Sequence, residues 1–127
     1  MLYKTFLLIK ADSDEITRLF TNLISNATKY NKTEGRIEIV LKETNNYNLV
    51  EIKDNGIGMK QEEKEKLFHE FFRAKNESTK NISGTGHGLS IVKRIVDSYA
   101  GKIEVDSEYN KGTTFTVYLP SKIGEAV

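Results

Sequence analysis

Asn48-Leu49-Val50-Glu51-Ile52-Lys53, followed at once by Asp54-Asn55-Gly56-Ile57-Gly58-Met59, is the stretch that organises this chain. Its first half is short and rich in branched apolar residues, which predicts a strand. Its second half is a glycine-rich turn that places a carboxylate beside bare backbone. Upstream, Arg36–Glu43 opens with an apolar/charged alternation, Arg36-Ile37-Glu38-Ile39, which lapses at Ile39-Val40-Leu41. A strand at least half buried is the best reading. Asn45-Asn46 is turn-like, so the two strands are expected to form an antiparallel hairpin.

Further upstream, Ile16, Leu19, Phe20, Leu23, Ile24 and Ala27 recur at helical spacing. At about 100° per residue they share one stripe, while Arg18, Asn22, Asn26 and Lys29 gather on another. Asp12 or Ser13 can cap this helix, which should end near Tyr30-Asn31. Thr5–Ile9 reads as a short, Leu-rich strand. Downstream, Glu62–Leu67 is a short charged helix, and Ala74–Gly84 is a polar loop. Leu89, Ile91, Val92, Ile95, Val96 and Tyr99 form the buried face of a further helix, with Gly101 as its left-handed cap. Lys102–Ser107 and Thr113–Leu119 are alternating strands joined by a turn around Asn110-Lys111-Gly112, and Pro120 closes the last. This order predicts one α/β domain over residues 1–127. The expected form is a two-layer sandwich: a mixed, mostly antiparallel sheet of about five strands with about three helices on one face.

A chain of 127 residues suits a single core. The formal net charge of +1 gives no general attraction to nucleic acid or an anionic membrane. The absence of cysteine excludes disulfides, thiol catalysis and cysteine-ligated zinc, and fits a reducing compartment. Apolar runs such as Phe6-Leu7-Leu8-Ile9 are too short to span a bilayer, and no signal peptide is read at the N-terminus. These features predict a cytoplasmic domain, not membrane-embedded and monomeric in isolation, with any membrane anchor of a parent protein lying outside this chain.

Several residues invite chemistry. Asn22 and Asn26 lie four apart and point the same way on a helix. They are either two solvated asparagines or neutral oxygen ligands for Mg²⁺ that already shares phosphate oxygens. Lys29 is a surface lysine or a phosphate contact. Asp54 belongs to an ordinary Asp-Asn-Gly turn or accepts a hydrogen bond from an exocyclic amine such as adenine's, with Gly56 and Gly58 allowing close approach. Phe68, Phe71 and Phe72 are core or site aromatics. Arg73 is a surface arginine or reaches a terminal phosphate.

Gly84-Thr85-Gly86-His87-Gly88-Leu89 opens a helical run, and bare amides at a helix start can cradle phosphate. Its spacing is wrong for a dinucleotide fingerprint, and no Walker lysine follows. His69-Glu70 lacks the helical and proline context of a phosphoacceptor. No Ser-His-Asp or metal-binding histidine spacing emerges.

The order of these pieces is more specific than any one of them. Asn22-Leu23-Ile24-Ser25-Asn26-Ala27-Thr28-Lys29-Tyr30 resembles the asparagine box of sensor histidine kinases. Asp54–Met59 is similar to their first glycine box, Phe68–Arg73 to their phenylalanine box, and Gly84–Leu89 to their second glycine box. The ending from Gly101 through Lys111-Gly112-Thr113-Thr114-Phe115 to Leu119-Pro120 also fits. The resemblance runs from about Ala11 to Pro120 and implies a Bergerat-fold ATP-binding domain of the GHKL superfamily.

By that resemblance, Asn26 ligates Mg²⁺ and Asn22 supports the metal or the phosphates. Lys29 and Tyr30 contact phosphate or ribose. Asp54 accepts from the adenine amine with Gly58 and Thr113 nearby, and Ile57 and Met59 line the adenine pocket. Arg73 approaches the γ-phosphate and completes a catalytic set with Asn22 and Asn26. Gly84, Thr85, Gly86, His87, Gly88 and Leu89 hinge and cradle an ATP lid over residues 73–84. His87 departs from the family's usual leucine, which adds the prospect of an extra phosphate contact.

The implied activity is transfer of the ATP γ-phosphoryl group to a histidine on a separate dimerisation domain, absent from this chain. A response regulator acts downstream. Related hydrolases carry Glu where this chain has Asn22, and Asn cannot act as a base. A hydrolytic ATPase of the same superfamily and a non-enzymatic nucleotide-sensing domain are the alternatives.

Overall fold

The computed structural model describes residues 12–32, 34–44, 46–67 and 88–121. The first helix, α1 (Ser13–Lys29), starts where the Asp12 carboxylate accepts from the backbone N–H groups of Asp14 (2.9 Å) and Glu15 (3.0 Å). Asp12, not Ser13, is therefore the cap. Asp14 and Glu15 in the first turn and Lys29 in the last complement the helix dipole. Leu19, Leu23 and Ala27 are buried, with Ile16 and Phe20 packed beside them. Ile24 was expected in this stripe but is 37% exposed. It sits about 100° round from Leu23, beyond the face that meets the sheet.

The strands β1 (Ile37–Glu43) and β2 (Tyr47–Asp54) form the expected hairpin, with Ile39 opposite Ile52 and Leu41 opposite Val50. Thr44 closes its turn, donating its N–H to the Tyr47 carbonyl (2.8 Å). The expectation that β1 is half buried is corrected. Ile39 and Leu41 are each 49% exposed. Among the described residues the strand is at the sheet edge, and α1 packs over β2 instead.

Next come a short helix, α2 (Gln61–Glu65), and then α3 (Gly88–Ser98), which buries Val92, Ile95 and Val96. The strands β3 (Lys102–Glu108) and β4 (Gly112–Pro120) complete the sheet. Its order is β1-β2-β4-β3, and every pairing is antiparallel. The described residues therefore hold four strands and three helices. The fifth expected strand, Thr5–Ile9, lies outside them, as does the loop Ala74–Gly84.

The α3 exit differs from expectation. Ala100, not Gly101, takes the left-handed conformation (φ 57°). Gly101 is required for another reason: a side chain there would collide with the Tyr118 carbonyl on β4.

The core lies between helices and sheet. Leu19, Leu23, Ile52, Val92, Val96 and Val117 are its largest fully buried side chains. Each contributes about 1.5–3 kcal/mol by leaving water. One polar tie joins the helices: the Tyr99 hydroxyl accepts from the Asp12 N–H (2.8 Å) and donates to Glu15 (2.8 Å). The end of α3 is thus fastened to the start of α1.

Candidate functional site

Toward the glycine turn, the apolar inner face of the sheet gives way to a polar row. On β2, Val50 and Ile52 give way to Asp54. On β4, Leu119, Val117 and Phe115 give way to Thr113. On β3, Ile103 and Val105 give way to Ser107. The register places these three polar residues side by side, Asp54 opposite Thr113 and Thr113 opposite Ser107. Because side chains alternate along a strand, all three share the helix-facing side. The hydrophobic core stops here and a polar corner begins.

The glycine turn after β2 is held against this corner by main chain. Gly56 donates its N–H to Asp54 Oδ1 (2.9 Å), and Ile57 donates to the Tyr30 carbonyl at the end of α1 (3.0 Å). A side chain at Gly56 would collide with that same carbonyl. Gly58 has φ 69°, and a side chain there would meet the Glu108 carbonyl. Gly112, with φ 130°, packs against the Asp54 carbonyl. Three backbone segments thus converge where only glycine fits.

Beside the turn, the Ser107 hydroxyl accepts from the Met59 N–H (2.9 Å), donates to the Gly112 carbonyl (3.0 Å), and lies 2.8 Å from Thr113 Oγ1. Met59 is buried as part of the core cluster, whereas Ile57 is half-buried. Burial pushes the Asp54 carboxyl above its ordinary range, opposed by hydrogen bonds from the Gly56 and Thr113 N–H groups. A half-buried carboxylate with acceptor capacity to spare is suited to a ligand's N–H donor.

The second half of the site lies on α1. Asn22 and Asn26 are half-buried, and Lys29 is exposed. The Asn22 amide donates to the Arg18 carbonyl one turn back (2.9 Å). Its oxygen lies 3.6 Å from where a methyl group on Gly88 would stand. Asn22 therefore borders the start of α3, where helical N–H groups have no partner within the helix. Tyr30, half-buried, ends α1 and supports the glycine turn through its carbonyl.

The structure so brings Asp54, Ile57, Gly58, Met59 and Thr113 together at one corner with Tyr30, and sets Asn22 beside Gly88. Leu89 is half-buried in the first turn of α3. Arg73, Gly84, Thr85, Gly86 and His87 lie outside the described residues, as do Phe68, Phe71 and Phe72.

Two contributors were not singled out from sequence. Asn55 accepts from the Arg36 N–H through its side chain (2.6 Å), tying the turn to the start of β1. Ser107 links the turn to both β3 and β4. A signal for Ser107 existed: it is polar at a position that continues the apolar alternation of Ile103 and Val105.

The profile of the family described as histidine kinase-, DNA gyrase B- and HSP90-like ATPase matches residues 11–123. The chain belongs to this family.

Within the family, its relatives include sensor kinases. The sensor protein kinase WalK of Staphylococcus epidermidis is 40% identical over 116 residues, which is 90% of this chain and 19% of that protein. The WalK of Staphylococcus haemolyticus is 39% identical over 114 residues, 88% of this chain and 19% of that protein. The chain thus spans about a fifth of these relatives' length. Among solved structures, the mycobacterial sensor histidine kinase MprB superposes with a TM-score of 0.79 at 30% identity, over 88% of this chain and 76% of that one. A nucleotide-free catalytic domain of the histidine kinase ThkA gives 0.74 at 32% identity, over 87% of this chain and 70% of that one. The α/β sandwich expected from sequence is the fold of histidine-kinase catalytic domains.

Proposed function

We propose that this chain is the ATP-binding catalytic module of a two-component sensor histidine kinase, transferring the γ-phosphoryl group of ATP to a histidine on a separate dimerisation domain. The observation that carries this reading is the polar row Asp54–Thr113 beside a main-chain turn, with Asn22 bordering the start of α3. Asp54 accepts from the adenine amine. Ile57 and Met59 supply the apolar wall, while Gly58 and Thr113 shape the corner. Lys29 and Tyr30, at the end of α1, contact phosphate or ribose.

The metal fits the donor set. Among the described residues there is no cluster of three histidine, cysteine or acidic side chains able to hold a metal. The α1 face instead offers the neutral oxygens of Asn22 and Asn26, suited to Mg²⁺ that takes its remaining ligands from phosphate and water. Asn26 would ligate it and Asn22 would support it. When bound, Mg²⁺ neutralises charge on the phosphates. The protein's own part is positioning, because an asparagine at position 22 accepts no proton at neutral pH. Histidine nitrogen needs little activation as an acceptor, whereas water needs a base. Arg73 at the γ-phosphate, the lid over residues 73–84 and the cradle Gly84–Leu89, including His87, complete the assignment on the strength of the resemblance.

A response regulator would take the phosphoryl group onward, and the domain would work in the cytoplasm. Among the described residues no helix is long and apolar enough to cross a membrane. The test is to mix this chain with γ-labelled ATP, Mg²⁺ and the parent kinase's dimerisation domain. Label should appear on that domain's histidine. Brisk ATP hydrolysis by the isolated chain would point instead to a hydrolytic ATPase. Binding of ATP without labelling would point to a nucleotide sensor.

A further inference from the structure

Ser107 stands at the junction of the glycine turn, the start of β4 and the polar row, yet it lies one strand beyond Asp54 and Thr113. Its hydroxyl has three polar neighbours. The Met59 N–H can only donate, and the Gly112 carbonyl can only accept. Thr113 Oγ1, at 2.8 Å, can do either. A serine hydroxyl has one proton and two lone pairs. One assignment makes all three contacts hydrogen bonds. Ser107 donates to Gly112 and accepts from both Met59 and Thr113.

That assignment fixes Thr113. Its single proton is committed to Ser107, so Thr113 Oγ1 has only lone pairs to offer elsewhere. Both sheet residues at the corner, Asp54 and Thr113, are then acceptors. Ser107 is itself anchored, because its carbonyl accepts from Lys64 Nζ (3.2 Å) and its side chain is buried. Building on the ATP-binding reading above, we infer that Ser107 is a positioning residue for base selection: it holds the Thr113 hydroxyl as an acceptor, so that the corner favours a purine bearing a 6-amino group over one bearing a 6-oxo group. Without Ser107, the Thr113 hydroxyl can rotate and donate, which suits a 6-oxo group. The loss of Met59's hydrogen-bond partner, by contrast, loosens the turn for any nucleotide.

The two effects separate by measuring affinities for ATP and inosine triphosphate with the whole chain by calorimetry. Ser107→Ala is expected to narrow the ATP-over-inosine-triphosphate preference by about threefold to tenfold, the scale of one hydrogen bond. Thr113→Val should narrow it similarly, and adding Ser107→Ala to Thr113→Val should narrow it no further. Ser107→Cys, nearly isosteric but a weak hydrogen-bonding group, should act in the same direction, and it carries the test if the alanine variant melts early. An equal loss for both nucleotides in Ser107→Ala, or an equal narrowing in the Thr113→Val background, would overturn the inference and leave Ser107 as a structural support. Failure of the native chain to bind ATP would overturn the function proposed above. An unchanged ratio in the variants of a chain that does bind ATP overturns only this inference.

Discussion

Asp54 and Thr113 face each other directly across β2 and β4, with their side chains on the same side of the sheet. The Asp54 carboxylate accepts from the Gly56 N–H (2.9 Å), which ties it to the glycine turn that follows.

This arrangement predicts that Asp54→Asn damages nucleotide binding far more than folding. An acceptor hydrogen bond from a charged group is worth about 1.5–3 kcal/mol. ATP affinity should fall by roughly ten- to a hundredfold. The hydrophobic core is untouched, so thermal melting should shift by only a few degrees. Parallel calorimetry and melting curves check both numbers.

The same carboxyl predicts a pH dependence. Burial raises its folded-state pKa above the ordinary 3.8. A carboxyl raised on folding adds stability below its unfolded pKa, and that contribution is lost as pH rises through the folded value. At neutral pH the buried charge therefore works against the fold. ATP binding has the opposite slope, since it uses the ionised acceptor. Affinity should begin to fall on acidification at a higher pH than an exposed aspartate would give. Asp54→Asn should lack both limbs in titrations of stability and affinity.

Asn26→Asp adds a negative charge on the α1 face assigned to the phosphates. Like charges at close range repel strongly where water is partly excluded. The variant should bind ATP several-fold more weakly without Mg²⁺ than the native chain, and a cation between the two charges should shrink the difference. Equal losses with and without Mg²⁺ would place Asn26 away from the phosphates. Titrations in Mg²⁺ and in chelator decide it.

Gly58→Ala tests the main-chain corner. The residue sits at φ 69°, and a methyl group there would press on the Glu108 carbonyl. Such backbone strain costs about 1–3 kcal/mol, and the collision adds to it. Urea denaturation should show a loss of more than about 2 kcal/mol, accompanied by weaker ATP binding.

The helices were legible because their apolar stripes repeat cleanly, as in Leu19, Leu23 and Ala27. The hairpin was legible because Asn45-Asn46 separates two β-rich runs. The exposure of β1 was not, because alternation reports which way side chains point and not whether anything lies over them. The cap at Gly101 was misread for a related reason. Glycine at a helix exit suggests a positive φ, yet here it answers crowding from Tyr118, a neighbour distant in sequence. At the candidate site, the placement of Asp54 at the end of one strand and of Thr113 near the start of another was readable from the turns beside them. Ser107 was not, because its role depends on a register that joins residues from three strands.

The corner where Gly56, Gly58 and Gly112 meet is main chain, but the side chains of Asp54, Asn55 and Ser107 hold it in place. Recognition and scaffolding therefore share residues in this domain. An engineer who varies Asp54 or Ser107 to alter base preference also alters the supports of the glycine turn. Natural drift in ligand choice would have to pass through changes in that turn, and a second change elsewhere in the corner would be needed to restore its hold.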